Sequence, residues 1–316
     1  MPNRITTLPV SSSTRRPRSS FFSGPLPILA ASVFWGTTGT ASSLAPAGAP
    51  AAAIGSAGLV LGGLLLLVSN GGARLRCTRA EHRLLLFGAL AIAGYPLTFY
   101  PAVARTGVAV ATVVTLGSAP VFAGLLAWMI GRARPSRRWL CATAAAVLGC
   151  GVLVLGPELT GGTAPMNVVG IALAAVAGLS YAVYSLISAK LIARGHASNS
   201  VLGRMFGIGG LLVLPVVLCT DMSWLGTLRG AAVAVHLAVF PTFVAYRLFG
   251  YALRHTTAQV VITMTFAEPA VAAILGVVVL GERLPIVAWC GLVLVALALV
   301  ALAAPARARR DRGGGR

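Results

Sequence analysis

The sequence predicts an all-α polytopic membrane protein in which ten transmembrane helices form two inverted five-helix repeats. Three observations support this prediction: apolar blocks of about twenty residues, basic residues concentrated on alternate connections, and a match between the two halves of the chain. Apolar residues make up 57% of the 316 residues and charged residues only 10%. A soluble chain of this length needs far more charge to cover its surface, so the composition indicates a protein immersed in lipid.

The apolar blocks have the length of helices that cross a membrane. About twenty residues, each rising 1.5 Å, span the ~30 Å of hydrocarbon, and a helix satisfies its own backbone hydrogen bonds there. The connections between spans three and four, and between spans eight and nine, are very short. The predicted spans are 25–45, 50–69, 84–104, 108–130, 139–157, 167–188, 199–219, 230–251, 257–280 and 286–304.

The basic residues predict the orientation of these spans. Lys and Arg collect on the cytoplasmic side of inner-membrane proteins. Twenty of them fall in the two tails and the even-numbered connections, whereas Arg105, Arg229 and Arg283 fall on the other side and Arg204 and Arg247 within spans. The split predicts a multi-pass protein of the cell inner (plasma) membrane with both termini in the cytoplasm. The net charge of +19 then reflects topology and contact with anionic membrane lipids, and no nucleic acid partner is expected.

The two halves of the chain match at an offset of about 149 residues, which aligns Ala119-Pro120 with Glu268-Pro269. A second match, at a slightly smaller offset, lies near the start of each half and places residues on one helix face in each copy. It pairs Trp35, Thr38, Gly39 and Ser42 with Tyr181, Tyr184, Ser185 and Ser188. Because each half holds five spans, the second copy enters the membrane from the opposite side, which makes the repeat inverted.

The predicted organisation is two repeats between basic tails. Residues 1–24 form a cytoplasmic tail, 25–157 the first repeat, 167–304 the second repeat and 305–316 a second cytoplasmic tail. We expect no cleavage after the first span, because that span holds the partner of the Tyr181 face. An inverted repeat favours a carrier that opens a midplane site alternately to the two sides. The alternative is that the duplication only builds a packed bundle.

These features resemble the EamA-type ten-helix exporters of the drug/metabolite transporter superfamily over about residues 25–304. The residues that carry the resemblance are Trp35-Gly36, the run Ala119-Pro120-Val121-Phe122, Glu268-Pro269 and the turn Gly281-Glu282-Arg283-Leu284-Pro285. The resemblance implies a secondary transporter that exports amino acids, other small metabolites or drugs.

The chain departs from the family pattern in two places. The Gly-Glu-Arg turn that commonly follows span four is replaced by a turn that begins Gly131-Arg132. Span two lacks the Arg that family members often carry there, while its repeat mate, span seven, has Arg204. If the family Arg contacts substrate, this chain handles a different one.

Glu268 is the sharpest candidate for function, because it is the one acidic residue placed deep within a predicted span. A charge at the bilayer centre costs roughly 2.5–3.5 kcal/mol on insertion scales, so Glu268 should face the bundle interior. There it could bind a substrate ammonium or carry a coupling proton. The alternative is a structural hydrogen bond beside the break that Pro269 makes in span nine.

Further candidates fall into two groups. The first is expected to line a cavity through ring faces and hydroxyls, with ordinary packing as the alternative. It comprises Trp35, Thr38, Tyr95, Tyr181, Tyr184 and Tyr246. In the second group, Arg247 could pair with Glu268, bind a substrate carboxylate or extend toward the cytoplasmic headgroups. Arg204 could also extend toward these headgroups, or it could lie at the cytoplasmic entrance and attract anions. For His236 we expect a packed or interfacial residue, with a role in proton transfer as the alternative.

Several function classes lack their signatures. The five cysteines are scattered without metal-binding spacing, so they predict packing residues and neither cofactor nor metal. No P-loop and no Asp or His cluster is present, so neither ATP-driven transport nor an enzyme is expected. The expected partners are a small-molecule substrate, membrane lipids and protons, in a monomer or weak dimer. An importer or facilitator of the same fold remains an alternative, as do a non-transporting membrane protein and an enzyme acting on lipid-linked substrates.

Overall fold

Helices make up nearly all of the chain that the structure describes. The computed structural model describes residues 25–70, 77–131, 136–159, 167–280 and 286–303. Within them a 3₁₀ turn at Ser223–Gly226 precedes α7, and a π-helical segment at Ala238–Val244 joins α7 to α8. The α-helices are α1 (Pro25–Ser43), α2 (Ala51–Val68), α3 (Arg79–Gly131), α4 (Arg137–Leu159), α5 (Val168–Ala193), α6 (Ser198–Leu218), α7 (Leu228–Leu237), α8 (Ala245–His255), α9 (Ala258–Met264), α10 (Ala267–Leu280) and α11 (Ile286–Ala303). The basic tails and the predicted turn at 281–285 lie outside the described residues.

Many of these helices have the length and composition of membrane spans. Among the described residues, five stretches are long and apolar enough to cross a bilayer, and four shorter apolar helices accompany them. The long stretches are Arg79–Val103, Val168–Ala193, Ser198–Leu218, Leu228–His255 and Ala258–Val279. On α3, the apolar side chains of Leu86, Phe87 and Leu90 are more than half exposed, which suits contact with lipid. The predicted all-α polytopic membrane fold is confirmed.

Polar side chains cap the first turn of several helices, among them α5, α7 and α9. In each case a side-chain oxygen accepts a hydrogen bond from the backbone N–H three residues later, which would otherwise lack a partner. The pairs are Asn167 with Gly170 at the start of α5, Thr227 with Gly230 at the start of α7, and Thr257 with Val260 at the start of α9. These caps set where α5, α7 and α9 begin.

Helix α3 contains both predicted spans three and four, because the chain reverses direction within it. Four neighbours on α5 reveal two legs: Gly94 lies beside Ser180, Thr106 beside Gly170, Thr115 bonds to Ala174, and Ser118 lies beside Gly178. From Gly170 to Ser180 on α5, the partner on the first leg changes from residue 106 to residue 94, so this leg runs antiparallel to α5. The partner on the second leg changes from residue 115 to residue 118, so that leg runs parallel to α5. The short connection predicted between these spans is therefore itself helical.

Helices of the first repeat pack against helices of the second, and a two-fold rotation that exchanges the repeats maps each of these helix contacts onto another one or onto itself. The contact of α1 with α10 corresponds to that of α5 with the second leg of α3, and the contact of α1 with α8 to that of α5 with the first leg. Helices α2 and α6 pair with each other, and so do α4 and α11. This pairing is the arrangement of an inverted repeat, with the interface between the halves at the centre of the bundle.

Two spans of the second repeat are interrupted near the centre of the bundle. In span eight the π-helical segment surrounds Pro241, and the hydroxyl of Thr242 donates to the carbonyl of Leu237 at 2.9 Å. Span nine breaks between α9 and α10, before Glu268, and not at Pro269 as the sequence predicts. Pro269 lies in the first turn of α10, where its missing N–H has no helical partner to lose.

Candidate functional site

A cavity of about 460 Å³ lies between the two repeats. Sites for small molecules typically measure about 300–1,000 Å³. Helices α1 and α2 and both legs of α3 line it from the first repeat, and α5, α6, the π-helical segment, α8 and α10 from the second. Its polar and small lining residues include Thr38, Gly39, Ser42, Gly55, Thr112, Thr242 and Glu268. Because both repeats contribute, a relative movement of the repeats changes the shape of the cavity.

Eight aromatic side chains among the described residues line the cavity. They belong to Trp35, Tyr95, Phe99, Tyr100, Tyr181, Tyr184, Phe206 and Tyr246. Most neighbouring rings pack at tilted or edge-to-face angles, with centroids 5.2 Å apart for Trp35 and Tyr246 and 6.0 Å apart for Tyr184 and Phe206, whereas Tyr95 and Phe99 stack. Such packing holds each ring in place and stabilises it beyond simple burial. The wall therefore offers preformed ring faces and edges to an occupant.

Two hydrogen bonds fix the polar ends of these rings. The indole N–H of Trp35 donates to the backbone carbonyl of Pro241 at 2.8 Å, and the hydroxyls of Tyr184 and Tyr246 bond to each other at 2.8 Å. Both bonds cross between helices that are distant in the chain. Buried polar groups without partners are costly, so these bonds favour one arrangement of the wall.

Glu268 is the one charged side chain among the described residues that line the cavity. It lies in the first turn of α10, and its backbone N–H bonds to the carbonyl of Thr265 at 2.8 Å. The N-terminus of a helix carries partial positive charge, which favours a carboxylate at this position. The ion pairs found among the described residues involve Glu81 and not Glu268. The cavity therefore combines aromatic walls with one acidic group and offers no Lys or Arg among its described lining residues.

The cavity extends from the centre toward one end of the bundle. On α1 its lining residues lie at 35–42, in the C-terminal half, and on α2 they lie at 55–59, near the start. On α3 they lie at 92–103 and 112–116, on either side of the reversal. All of these segments approach the end at which α1 and α2 are joined.

Contacts between the repeats close the opposite end. The carboxylate of Glu81, at the start of α3, lies 3.3 Å from a guanidinium nitrogen of Arg194 and 3.4 Å from Nε2 of His196. Beside it, the side chain of Asn70 donates to the backbone carbonyl of Asn199 at 2.6 Å. These contacts tie the end of α2 and the start of α3 to the connection between α5 and α6 and to the first turn of α6, and they hold the two repeats together at this closed end.

This architecture matches one family twice. The model of the EamA-like transporter family matches residues 22–155 and again residues 168–304. The chain belongs to the EamA-like transporter family. The two matches correspond to the two halves that the internal repeat predicts, and together they cover most of the chain.

Relatives of this EamA-like protein include transporters along most of its length. The uncharacterized transporter YwfM of Bacillus subtilis is 34% identical over 90% of this chain and 94% of its own. The threonine/homoserine exporter RhtA of Salmonella typhimurium is 28% identical over 74% of this chain and 77% of its own. The chain of one crystal structure superposes with a TM-score of 0.72 over 88% of this chain and 96% of its own, at 19% identity. At that identity the likeness shows the fold alone.

The structure brings seven of the ten predicted site residues to the cavity of this EamA-like protein. They are Glu268, Trp35, Thr38, Tyr95, Tyr181, Tyr184 and Tyr246. The other three lie elsewhere. Nε2 of His236 bonds to the hydroxyl of Thr37 at 2.9 Å, and the guanidinium of Arg247 lies 5.5 Å from the ring centroid of Phe243. Arg204 lies in α6 and is not among the residues that line the cavity. Among the described residues, Arg247 and Glu268 form no ion pair with each other.

The lining residues that sequence reasoning missed include Phe99, Tyr100, Phe206 and Thr242. Phe99 follows Tyr95 by four residues, so helical spacing could have placed both on one face. Thr242 lies within the π-helical segment, which adds a residue to the turn and shifts the face that follows. A constant period of 3.6 residues does not predict that shift.

Proposed function

We propose that this EamA-like transporter exports small metabolites that carry an amino group, amino acids among them, by alternating access. The structural observation that supports the substrate class is the charge of the cavity: one carboxylate, Glu268, among aromatic rings and without a cation in the described lining. An ammonium group suits such a site, because a carboxylate attracts it directly and ring faces stabilise cations by about 0.5–2 kcal/mol each. An anion without an amino group finds no partner of opposite charge among the lining residues that the structure describes.

Glu268 also supplies the proposed coupling to protons. A carboxylate left charged among apolar ring faces is costly, so an occupant that neutralises it is favoured. A substrate ammonium and a proton can each do so, but they compete for the same group. Exchange of one for the other at Glu268 would drive substrate outward as protons enter.

Alternating access rests in this proposal on the two repeats, 25–157 and 167–304. The closed end carries Arg79, Arg83 and Arg194 and, under the rule that basic residues face the cytoplasm, lies inside the cell. In this proposal both termini lie in the cytoplasm and the cavity opens toward the outside of the cell. Opening to the cytoplasm requires the contacts of Glu81 and Asn70 to separate. The name of RhtA, which speaks of threonine and homoserine export, supports both the direction and the substrate class.

The test is transport by purified protein in liposomes. Radiolabelled threonine, homoserine and a pool of cationic drugs are offered with and without a pH gradient, to wild type, Glu268→Gln and Asp221→Asn. Asp221 is an exposed acid outside the cavity and serves as the matched control for loss of one negative charge. We expect saturable, gradient-dependent flux in wild type and Asp221→Asn, and at least tenfold less in Glu268→Gln.

Three results would contradict parts of this proposal. Equal saturable flux in Glu268→Gln would remove Glu268 from binding and coupling while leaving transport intact. No flux of any amine by protein shown to be folded and inserted would refute the substrate class. Faster flux in vesicles oriented for uptake would reverse the proposed direction.

A further inference from the structure

Three side chains with metal-binding groups meet at the closed end of the bundle. Cys77 directly precedes α3, Glu81 lies in its first turn, and His196 lies in the connection between α5 and α6. Their ligand atoms all lie within 4.8 Å of one another. Cys77 and Glu81 belong to the first repeat and His196 to the second, so the cluster bridges the two halves. The scattered cysteines of the sequence give no hint of it, because its members are far apart in the chain.

The separation of two of these groups already suits a tetrahedral cation. Nε2 of His196 and Oε1 of Glu81 lie 3.4 Å apart. Two ligand atoms about 2.0–2.2 Å from a tetrahedral Zn²⁺ are also about 3.4 Å apart. The imidazole and the carboxylate are therefore spaced as two ligands of one tetrahedral cation are. The sulfur of Cys77 lies within 4.8 Å of both atoms.

Neighbouring groups hold the carboxylate in position. The second oxygen of Glu81 accepts a hydrogen bond from the backbone N–H of Thr78 at 2.9 Å, and the hydroxyl of Thr78 accepts one from the backbone N–H of Glu81 at 3.3 Å. This reciprocal cap fixes the side chain at the start of α3 and leaves the first oxygen directed toward His196. Hydrogen bonds of this kind orient metal ligands and strengthen binding.

The cluster is accessible from water. The side chains of Glu81 and His196 retain 11% and 16% exposure, and that of Arg194, which bonds to Glu81, is 44% exposed. An ion can therefore enter without opening the bundle, and a water molecule can complete four-coordination. Arg194 would have to share or yield the carboxylate oxygen, which its exposure allows.

We propose that Cys77, Glu81 and His196 form a site for a thiophilic divalent cation of the Zn²⁺ class. Thiolate, imidazole and carboxylate together are the ligand set that Zn²⁺ takes in proteins, whereas Mg²⁺ and Ca²⁺ require oxygen ligands. Because the site joins the two repeats at the end that must separate, bound cation holds that end closed. This last consequence rests on the proposed alternating access, while the site itself does not.

The binding test uses the full chain in detergent, freed of metal and of any affinity tag. Zn²⁺ is titrated in competition with a chromogenic chelator, and Co²⁺ is titrated to observe the near-ultraviolet band of sulfur ligation. We expect one Zn²⁺ per chain in wild type and at least tenfold weaker binding in Cys77→Ser, Glu81→Gln and His196→Asn. Cys219→Ser and His255→Asn, which change an exposed cysteine and a histidine elsewhere, should bind as wild type does.

A second measurement guards against variants that fold poorly. Zn²⁺ should protect Cys77 from a maleimide in wild type but not in His196→Asn, which keeps the cysteine. Absence of stoichiometric binding in wild type, or equal binding in Cys77→Ser, would overturn the site. In liposomes, micromolar Zn²⁺ should slow flux in wild type and not in Cys77→Ser. Binding without slowed flux would overturn the closure and leave the site standing, and absence of all flux would count against the proposed function alone.

Discussion

The indole N–H of Trp35 bonds to the backbone carbonyl of Pro241 at 2.8 Å and so joins the two repeats beside the cavity. Trp35 belongs to α1, while Pro241 lies in the π-helical segment that interrupts span eight. The ring of Trp35 also packs against Tyr246 and Phe249, with centroids 5.2 and 5.9 Å away. One side chain thereby fixes the position of α1 against an irregular stretch of the opposite repeat.

Trp35→Phe should destabilise the protein by about 1 kcal/mol, because the ring contacts remain while the donor to Pro241 is lost. The measurement is thermal unfolding in detergent, monitored by light scattering and circular dichroism, because these signals do not depend on tryptophan fluorescence. Trp289→Phe, at a half-exposed position on α11, is the matched control and should leave the midpoint unchanged. Equal midpoints for wild type and Trp35→Phe would show that the bond contributes nothing to stability.

Two glycines of the cavity wall should respond differently to the same substitution. A Cβ at Gly55 would overlap the ring of Tyr100, whereas a Cβ at Gly39 would meet no atom within 4 Å. Gly55→Ala should therefore force Tyr100 to move at a cost of about 1–3 kcal/mol and reduce saturable flux. Gly39→Ala should keep flux within about twofold of wild type, since about 0.4 kcal/mol corresponds to that factor. Similar flux in the two variants would contradict the close contact of Gly55 with Tyr100.

The paired hydroxyls of Tyr184 and Tyr246 should be energetically coupled. Their oxygens lie 2.8 Å apart, so removal of either hydroxyl leaves the other without this partner. Tyr184→Phe and Tyr246→Phe should each destabilise by about 1 kcal/mol, and the double variant by little more than one of them. A double-mutant cycle on unfolding free energies measures the coupling. Additive losses would show that the two hydroxyls act independently.

Cys77 should be alkylated slowly in metal-free buffer near neutral pH. Burial raises the pKa of the Cys77 thiol and the carboxylate of Glu81 raises it further, although Arg204 acts in the opposite direction. A raised pKa leaves less thiolate at a given pH, and the thiolate is the form that reacts. The midpoint of the pH–rate profile should therefore lie above that of a free cysteine and fall in Glu81→Gln. A midpoint unchanged by Glu81→Gln would exclude the carboxylate as a cause.

The spans could be predicted because lipid imposes one simple condition on every segment. A continuous apolar block must satisfy its own backbone, so its length alone locates the helix. The span predicted at 199–219 is thus observed at Ser198–Leu218, and that predicted at 286–304 at Ile286–Ala303. The internal repeat supplied a second basis for prediction: it matched the helix face of Trp35 with that of Tyr181, and both residues line the one cavity.

Other features depend on contacts that no local pattern encodes. The break before Glu268 and the π-helical segment around Pro241 change the helical period within a span, so faces beyond them cannot be extrapolated. Arg247 lies against Phe243, one turn away on the same helix, and this near neighbour competes with any partner across the bundle. The meeting of Cys77 with His196 depends on how two distant connections pack.

The self-pairing of α2 with α6 and of α4 with α11 has a consequence for the symmetry of the site. Each half presents surfaces that fit its own counterpart, as the subunits of a two-fold dimer do. In a dimer of identical halves, every acidic residue near the axis would occur twice. Here the position equivalent to Glu268 is Ala119, which is fully buried and uncharged. Joining the halves in one chain permits a single negative charge on one side of the axis, a distinction that identical subunits cannot make.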